Sequence, residues 1–109
     1  MTEAATIITA DKIASAIIAG RNKPRICNNQ GACRVYLGFY DVTTKQLNQI
    51  KKALSSCGIR YIGKAYGSGN KCAYIGYDNF RGNLYPMAQN IASEIKMLGI
   101  KCYADAIGD

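Results

Sequence analysis

Charge and aromatic rings are the chemistry this chain has to offer, because the residues of conventional catalysis are missing. The 109 residues include no histidine. The usual general base near neutral pH, which is also the usual partner of a serine or cysteine nucleophile, is therefore absent. Seven acidic residues share no common motif. Five cysteines, Cys27, Cys33, Cys57, Cys72 and Cys102, are scattered without a C-x-x-C pair, so closely spaced zinc ligands are not on offer. The sequence thus predicts no enzyme, no metal site and no cofactor. The cysteines are expected to be buried or half-buried thiols, with a Cys27–Cys33 disulfide in an oxidising compartment as the exception.

The cations are distributed unevenly. The formal charge is +7, and from Lys12 to Tyr77 eleven Lys or Arg residues face one acid, Asp41. That imbalance favours a polyanion or an acidic protein surface as partner, although solubility accounts for such a charge equally well. Arg21, Lys23 and Arg25 cluster in a Gly-, Asn- and Pro-bearing stretch, residues 20–32, that reads as a long loop. Arg34, Lys64 and Lys71 accompany two aromatic segments that carry Tyr36 and Tyr74. Cations of this kind neutralise phosphates with salt-dependent affinity, and a base stacked on a tyrosine contributes about 1–3 kcal/mol. The candidate nucleic-acid-binding set is Arg21, Lys23, Arg25, Arg34, Tyr36, Lys64, Lys71 and Tyr74.

The elements that would position these residues can be read in order. Thr9 is a good N-cap with Asp11 in the first turn, Ala10, Ile13, Ala14, Ile17 and Ile18 form one apolar face, and Gly20 is the natural C′ residue of a first helix. A strand follows at 33–40. Thr43 and Gln46 fit a capping box, Val42 and Leu47 a hydrophobic staple, and Leu47, Ile50, Leu54 and Cys57 the buried stripe of a helix ending at Gly58. Strands at 59–66 and 71–77 are joined by a Gly-Ser-Gly-Asn linker. A further helix starts near Asn83, with Pro86 in its first turn and Leu84, Met87, Ile91, Ile95 and Leu98 buried. Gly99 closes it, and 100–107 is a last strand.

Two halves of the chain match. Tyr36-Leu37-Gly38-Phe39 parallels Tyr74-Ile75-Gly76-Tyr77, and the helices that follow end in Gly58-Ile59-Arg60 and Gly99-Ile100-Lys101. The resulting order predicts an α+β fold of the ferredoxin-like βαββαβ kind, with a four-stranded antiparallel sheet of order 4-1-3-2 and two helices on one face. A helix is added at the N-terminus. The expected organisation is a flexible tail (1–8), an added helix and basic loop (9–32) and the ferredoxin-like domain (33–109). Strand two has two candidate registers. A tight hairpin centred on Ser68-Gly69 sets Ile62 opposite Ile75, the repeat alignment turns Ile59 and Tyr61 inward, and a bulge reconciles them.

Residues 35–40, followed by Asp41-Val42-Thr43, resemble the RNP2 motif of RNA-recognition-motif domains. Residues 70–77 resemble RNP1 at Ala73, Tyr74, Ile75 and Tyr77, with Asn70, Lys71 and Cys72 departing from the usual basic, glycine and aromatic residues. The resemblance spans about residues 34–78 and implies base stacking at Tyr36, Cys72 and Tyr74. However, the first strand is apolar on both faces, Val35, Leu37 and Phe39 on one and Tyr36, Gly38 and Tyr40 on the other, where a sheet with one wet face alternates more cleanly. The second face is therefore open, covered by the first helix or buried in a homodimer, and the pattern of residues leaves all three open.

The expected function is a small non-enzymatic module that binds single-stranded RNA or DNA through the basic loop and aromatic sheet. The alternative is a phage- or mobile-element-encoded inhibitor or adaptor acting by protein–protein contact, for example on a nucleic-acid-binding defence complex. A dimeric ligand-binding regulatory domain is weaker. The longest apolar run, 14–19, broken by Ser15, is far too short to span a bilayer, and the N-terminus lacks the basic region of a signal peptide, so a cytoplasmic, membrane-free protein is expected.

Overall fold

The central strand carries inward-facing apolar residues at every second position, and the architecture is organised to bury them. A computed structural model describes residues 8–24, 33–78 and 82–108. The elements are α1 (Ala10–Asn22), β1 (Cys33–Phe39), α2 (Thr44–Ser56), β2 (Arg60–Ala65), β3 (Gly69–Asp78), α3 (Leu84–Lys96) and β4 (Cys102–Gly108). This is an α+β fold with one four-stranded antiparallel sheet of order β2-β3-β1-β4, which is 4-1-3-2 read from the other edge. The two matched segments are neighbours at its centre, with Tyr36 opposite Tyr74. Cys33, Val35, Leu37 and Phe39 share one core with Ile50 and Leu54 of α2, Ile91 and Ile95 of α3, and Ile13 and Ile17 of α1. All three helices therefore lie on one side of the sheet. Among the described residues no helix is long and apolar enough to cross a membrane.

The two matched halves start their helices differently. Thr43 accepts from the Gln46 amide at 3.1 Å while the Gln46 side chain accepts from the Thr43 amide at 3.0 Å, so α2 starts with the capping box its sequence predicts. Gly58, at φ +74°, ends the turn after it. At α3 the N-cap Asn83 makes no side-chain cap bond. The buried carboxylate of Asp78, at the end of β3, instead accepts from the amides of Gly82, Asn83 and Leu84 at 3.0, 2.9 and 3.1 Å. A carboxylate at a helix N-terminus meets both the free amides and the positive end of the helix dipole. The acid of the first half, Asp41, falls one position beyond the residue aligned with Asp78; it is exposed, adopts φ +52° and pairs with Lys101 at 3.3 Å.

Two sequence expectations need correction. Gly20 does not stop α1, which continues to Asn22. Instead Gly20 is buried against α3, where a Cβ would fall 2.5 Å from the Ile91 Cα. The missing side chain lets two helices approach closely, and α1 packs against both α2 and α3 on the helical side of the sheet. It does not lie over the second face. The hairpin turn comprises residues 66–68, with the Ser68 amide bonded to the Ala65 carbonyl at 3.0 Å and Gly67 at φ +82°, so it is not centred on Ser68-Gly69. In the strands Ile59 is buried, Tyr61 packs on the core and Ile62 is exposed, as the repeat alignment requires. The pairing jumps from Tyr61 to Gly63 while β3 moves from Ala73 to Cys72, which is the bulge that absorbs the conflict.

Removal of the Asp78 carboxylate is predicted to be costly, because three amides then face a buried, unsatisfied end. Asp78→Ala should lower unfolding free energy by about 3 kcal/mol and Asp78→Asn by roughly half that, measured by urea denaturation. Equal stability of Asp78→Ala and wild type would show that the cap is dispensable. Burial also pushes the Cys102 thiol up from 9.0 to about 12. The unfolded thiol ionises first, so its contribution is intact below about pH 9 and is lost as pH rises towards about 12. Alkaline melts should show this slope flattened in Cys102→Ala, and an unchanged slope would assign it to other groups.

Candidate nucleic-acid interface

The second face of the sheet begins with Tyr36, Cys72 and Tyr74, and its cover comes from the β2–β3 hairpin. Tyr36, Ala65 and Cys72 form a small buried cluster with Tyr74 and Ile107 packed against it. The hairpin joins the two strands farthest from β4, yet its turn reaches across β1 to touch β4. A Cβ on Gly67 would lie 3.6 Å from Ile107 Cδ1, and the Tyr103 hydroxyl donates to the Ser68 carbonyl at 3.3 Å and lies 3.4 Å from the Ser68 hydroxyl. The Tyr103 ring rests on Gly38, where any Cβ would overlap it. Burial raises the Tyr103 phenol above its ordinary value, opposed by the Ser68 hydrogen bond, so the latch is uncharged at neutral pH.

The eight residues singled out by sequence do not form one site. Tyr36 is only 7% exposed, with its ring 5.6 Å from that of the half-buried Tyr74. Arg34 is exposed on the same strand as Tyr36 and on its face. Arg21 and Lys23 lie on the far side, in the helical layer. Arg21 donates to the Cys57 carbonyl at 2.6 Å, at the C-terminal end of α2 where a cation is favoured. Lys23 pairs with Glu94 of α3. Arg25 and Cys27 lie outside the described residues, and the Cys27–Cys33 disulfide with them. Lys64 and Lys71 are on the hairpin, the first exposed with its ammonium 5.2 Å from the Tyr66 ring centre, the second half-buried.

The other exposed cations of the chain's middle lie on α2 and the edge strand. Lys45, Lys51 and Lys52 are exposed on α2, which packs over β2, and Arg60 and Lys64 are exposed on β2, the edge strand. Lys51 reaches 4.9 Å from the Tyr61 ring centre and so joins the helix to the edge. The rest of the outward side of α2, Thr44, Asn48, Ser55 and Ser56, is polar and uncharged. Residues 42–77 contain six cations and no acid, whereas 78–109 contain three cations and four acids. Lys45, Lys51, Lys52 and Arg60 are the residues that sequence reasoning left out, although the acid-free run that marks them was visible. Among the described residues no group of three or more His, Cys, Asp or Glu is placed to hold a metal ion.

Tyr103→Phe keeps the ring on Gly38 and removes its hydroxyl bonds, so a stability loss of about 1 kcal/mol is predicted. Gly38→Val should displace the ring itself and free the turn. Hydrogen exchange resolved to residues 65–69 checks both, and native protection of those amides in Gly38→Val would mean that the hairpin does not depend on this seat. Comparison with protein-family models, curated proteins and solved structures finds no match for this chain.

Proposed function

We propose that the chain is a cytoplasmic, ferredoxin-like, non-enzymatic nucleic-acid-binding module that grips phosphates with the α2–β2 edge and the β2–β3 hairpin. The observation that carries this reading is a set of five exposed cations, Lys45, Lys51, Lys52, Arg60 and Lys64, on adjoining elements within a run, 42–77, that contains no acid. Such a surface releases counterions from a polyphosphate when it binds. The RNA-recognition-motif resemblance of 35–40 and 70–77 supports the same class of ligand. Its base-stacking position Tyr36 lies beneath the hairpin turn, so in this reading the sheet centre is a support and the contacts move to its edge.

A second reading keeps the surface and changes the partner: a protein inhibitor or adaptor, of phage or mobile-element type, that occupies an acidic patch on a nucleic-acid-binding protein. Ile62 favours it, as an exposed apolar residue between Arg60 and Lys64 on an edge strand, a side chain that phosphate binding does not use. Edge strands of this kind pair with other chains.

Electrophoretic shifts with single-stranded RNA and DNA at low and high salt test the first reading. Binding should weaken steeply with salt, with a log–log slope near −0.7 per phosphate neutralised. The triple variant Lys45→Gln/Lys51→Gln/Lys52→Gln should flatten that slope by about two units. Arg21→Gln, whose guanidinium is engaged by Cys57, should cost stability and leave the slope alone. Absence of any shift at low salt would sink the nucleic-acid reading and leave the protein-partner reading standing.

A further inference from the structure

The geometry points to Tyr66 as a base-stacking finger that gives this surface its preference for single-stranded nucleic acid, an inference that rests on the phosphate-binding reading above. Tyr66 is the most exposed large apolar side chain among the described residues, at 86%. It stands on the turn that the sheet holds down through Tyr103, Ser68 and the Gly67–Ile107 contact. Its backbone is thus ordered before any ligand arrives, which removes much of the entropy that a flexible loop would lose on binding. A rigid aromatic ring with two side-chain torsions is an economical contact surface for the same reason.

The surroundings match one nucleotide. The Lys64 ammonium lies over one face of the ring, 5.2 Å from its centre, and leaves the other face for a base. Residues 64–70 border an open hollow of about 510 Å³ next to the ring, within the range of small-ligand sites. Asn70 in that border is an uncharged side chain with both donor and acceptor groups, and no acid occurs within the border. A base in a duplex is stacked on its neighbours and cannot present its face to a protruding ring, whereas an unpaired base can. The hairpin therefore selects for single strands, while Lys45, Lys51, Lys52 and Arg60 bind phosphates of either kind.

Tyr66→Trp supplies the reporter, because the chain has no tryptophan. Titration with oligodeoxythymidylate or oligouridylate should quench its fluorescence, and a blunt duplex of equal length should not. In fluorescence polarisation with labelled oligodeoxythymidylate, Tyr66→Leu should weaken binding at least fivefold, the scale of one lost stack. Tyr66→Phe should bind like wild type, and duplex affinity and salt slope should stay the same in all three variants. An exposed position should leave melting temperature unchanged, which separates the effect from misfolding. If Tyr66→Leu binds the single strand as well as wild type does, the finger is wrong and the phosphate surface stands. If wild type binds neither oligonucleotide at low salt, the phosphate reading falls and the finger with it.

Discussion

The constraint on which the structure depends is that β1 is apolar on both faces, so each face must be covered. On one side Val35, Leu37 and Phe39 are buried beneath a layer of three helices. On the other, Tyr36 needs shelter, and among the described residues no helix gives it, because α1 has been drawn into the first layer. The β2–β3 hairpin supplies it by folding across the sheet as far as β4. Burying an aromatic ring removes a large area from water and makes such a closure worthwhile. It also requires that the lid seat closely, which is the reason for glycine at 38 under the Tyr103 ring.

That arrangement decides where function can sit. Cover by the hairpin withdraws Tyr36 from any ligand, and the exposed chemistry lies around it, on the α2–β2 edge, the outside of the turn and Tyr66. The rim is also where charge accumulates, since long cationic side chains keep their heads in water while their stems lie on apolar neighbours. The contact between Lys51 and Tyr61 is of this kind. By contrast, Arg21 and Lys23 are drawn into contacts among the helices, at the end of α2 and on Glu94. Equal charge in the sequence thus leads to different roles, set by what each cation meets.

Several local features could be read directly. The capping box at Thr43 and Gln46 needs only residues three apart, and the glycine after α2 needs only its own backbone, so both follow from short-range chemistry. The Asp78 cap of α3 could not be read the same way, because its carboxylate reaches amides four to six residues on across a turn. Gly20 misled for a related reason. Near the end of an apolar stripe, a helix stop and a close helix–helix approach both favour glycine, and the neighbouring sequence does not distinguish them.

What the sequence alone determined is the repeated unit, and with it an antiparallel α+β sheet whose matched strands lie side by side. Hydrophobic period and cap residues act over a few positions, and pairing of alike halves follows from them. The acid-free run from 42 to 77 also belongs to the sequence. Only the tertiary structure decided which side α1 joined, that the hairpin covers Tyr36, and that the most exposed aromatic residue among those described is Tyr66. These depend on contacts between residues far apart in the chain, Gly20 with Ile91, Gly38 with Tyr103 and Gly67 with Ile107. At 20 and 38 the glycine gives room for a partner that no local pattern specifies, and at 67 it supplies the positive φ of the turn.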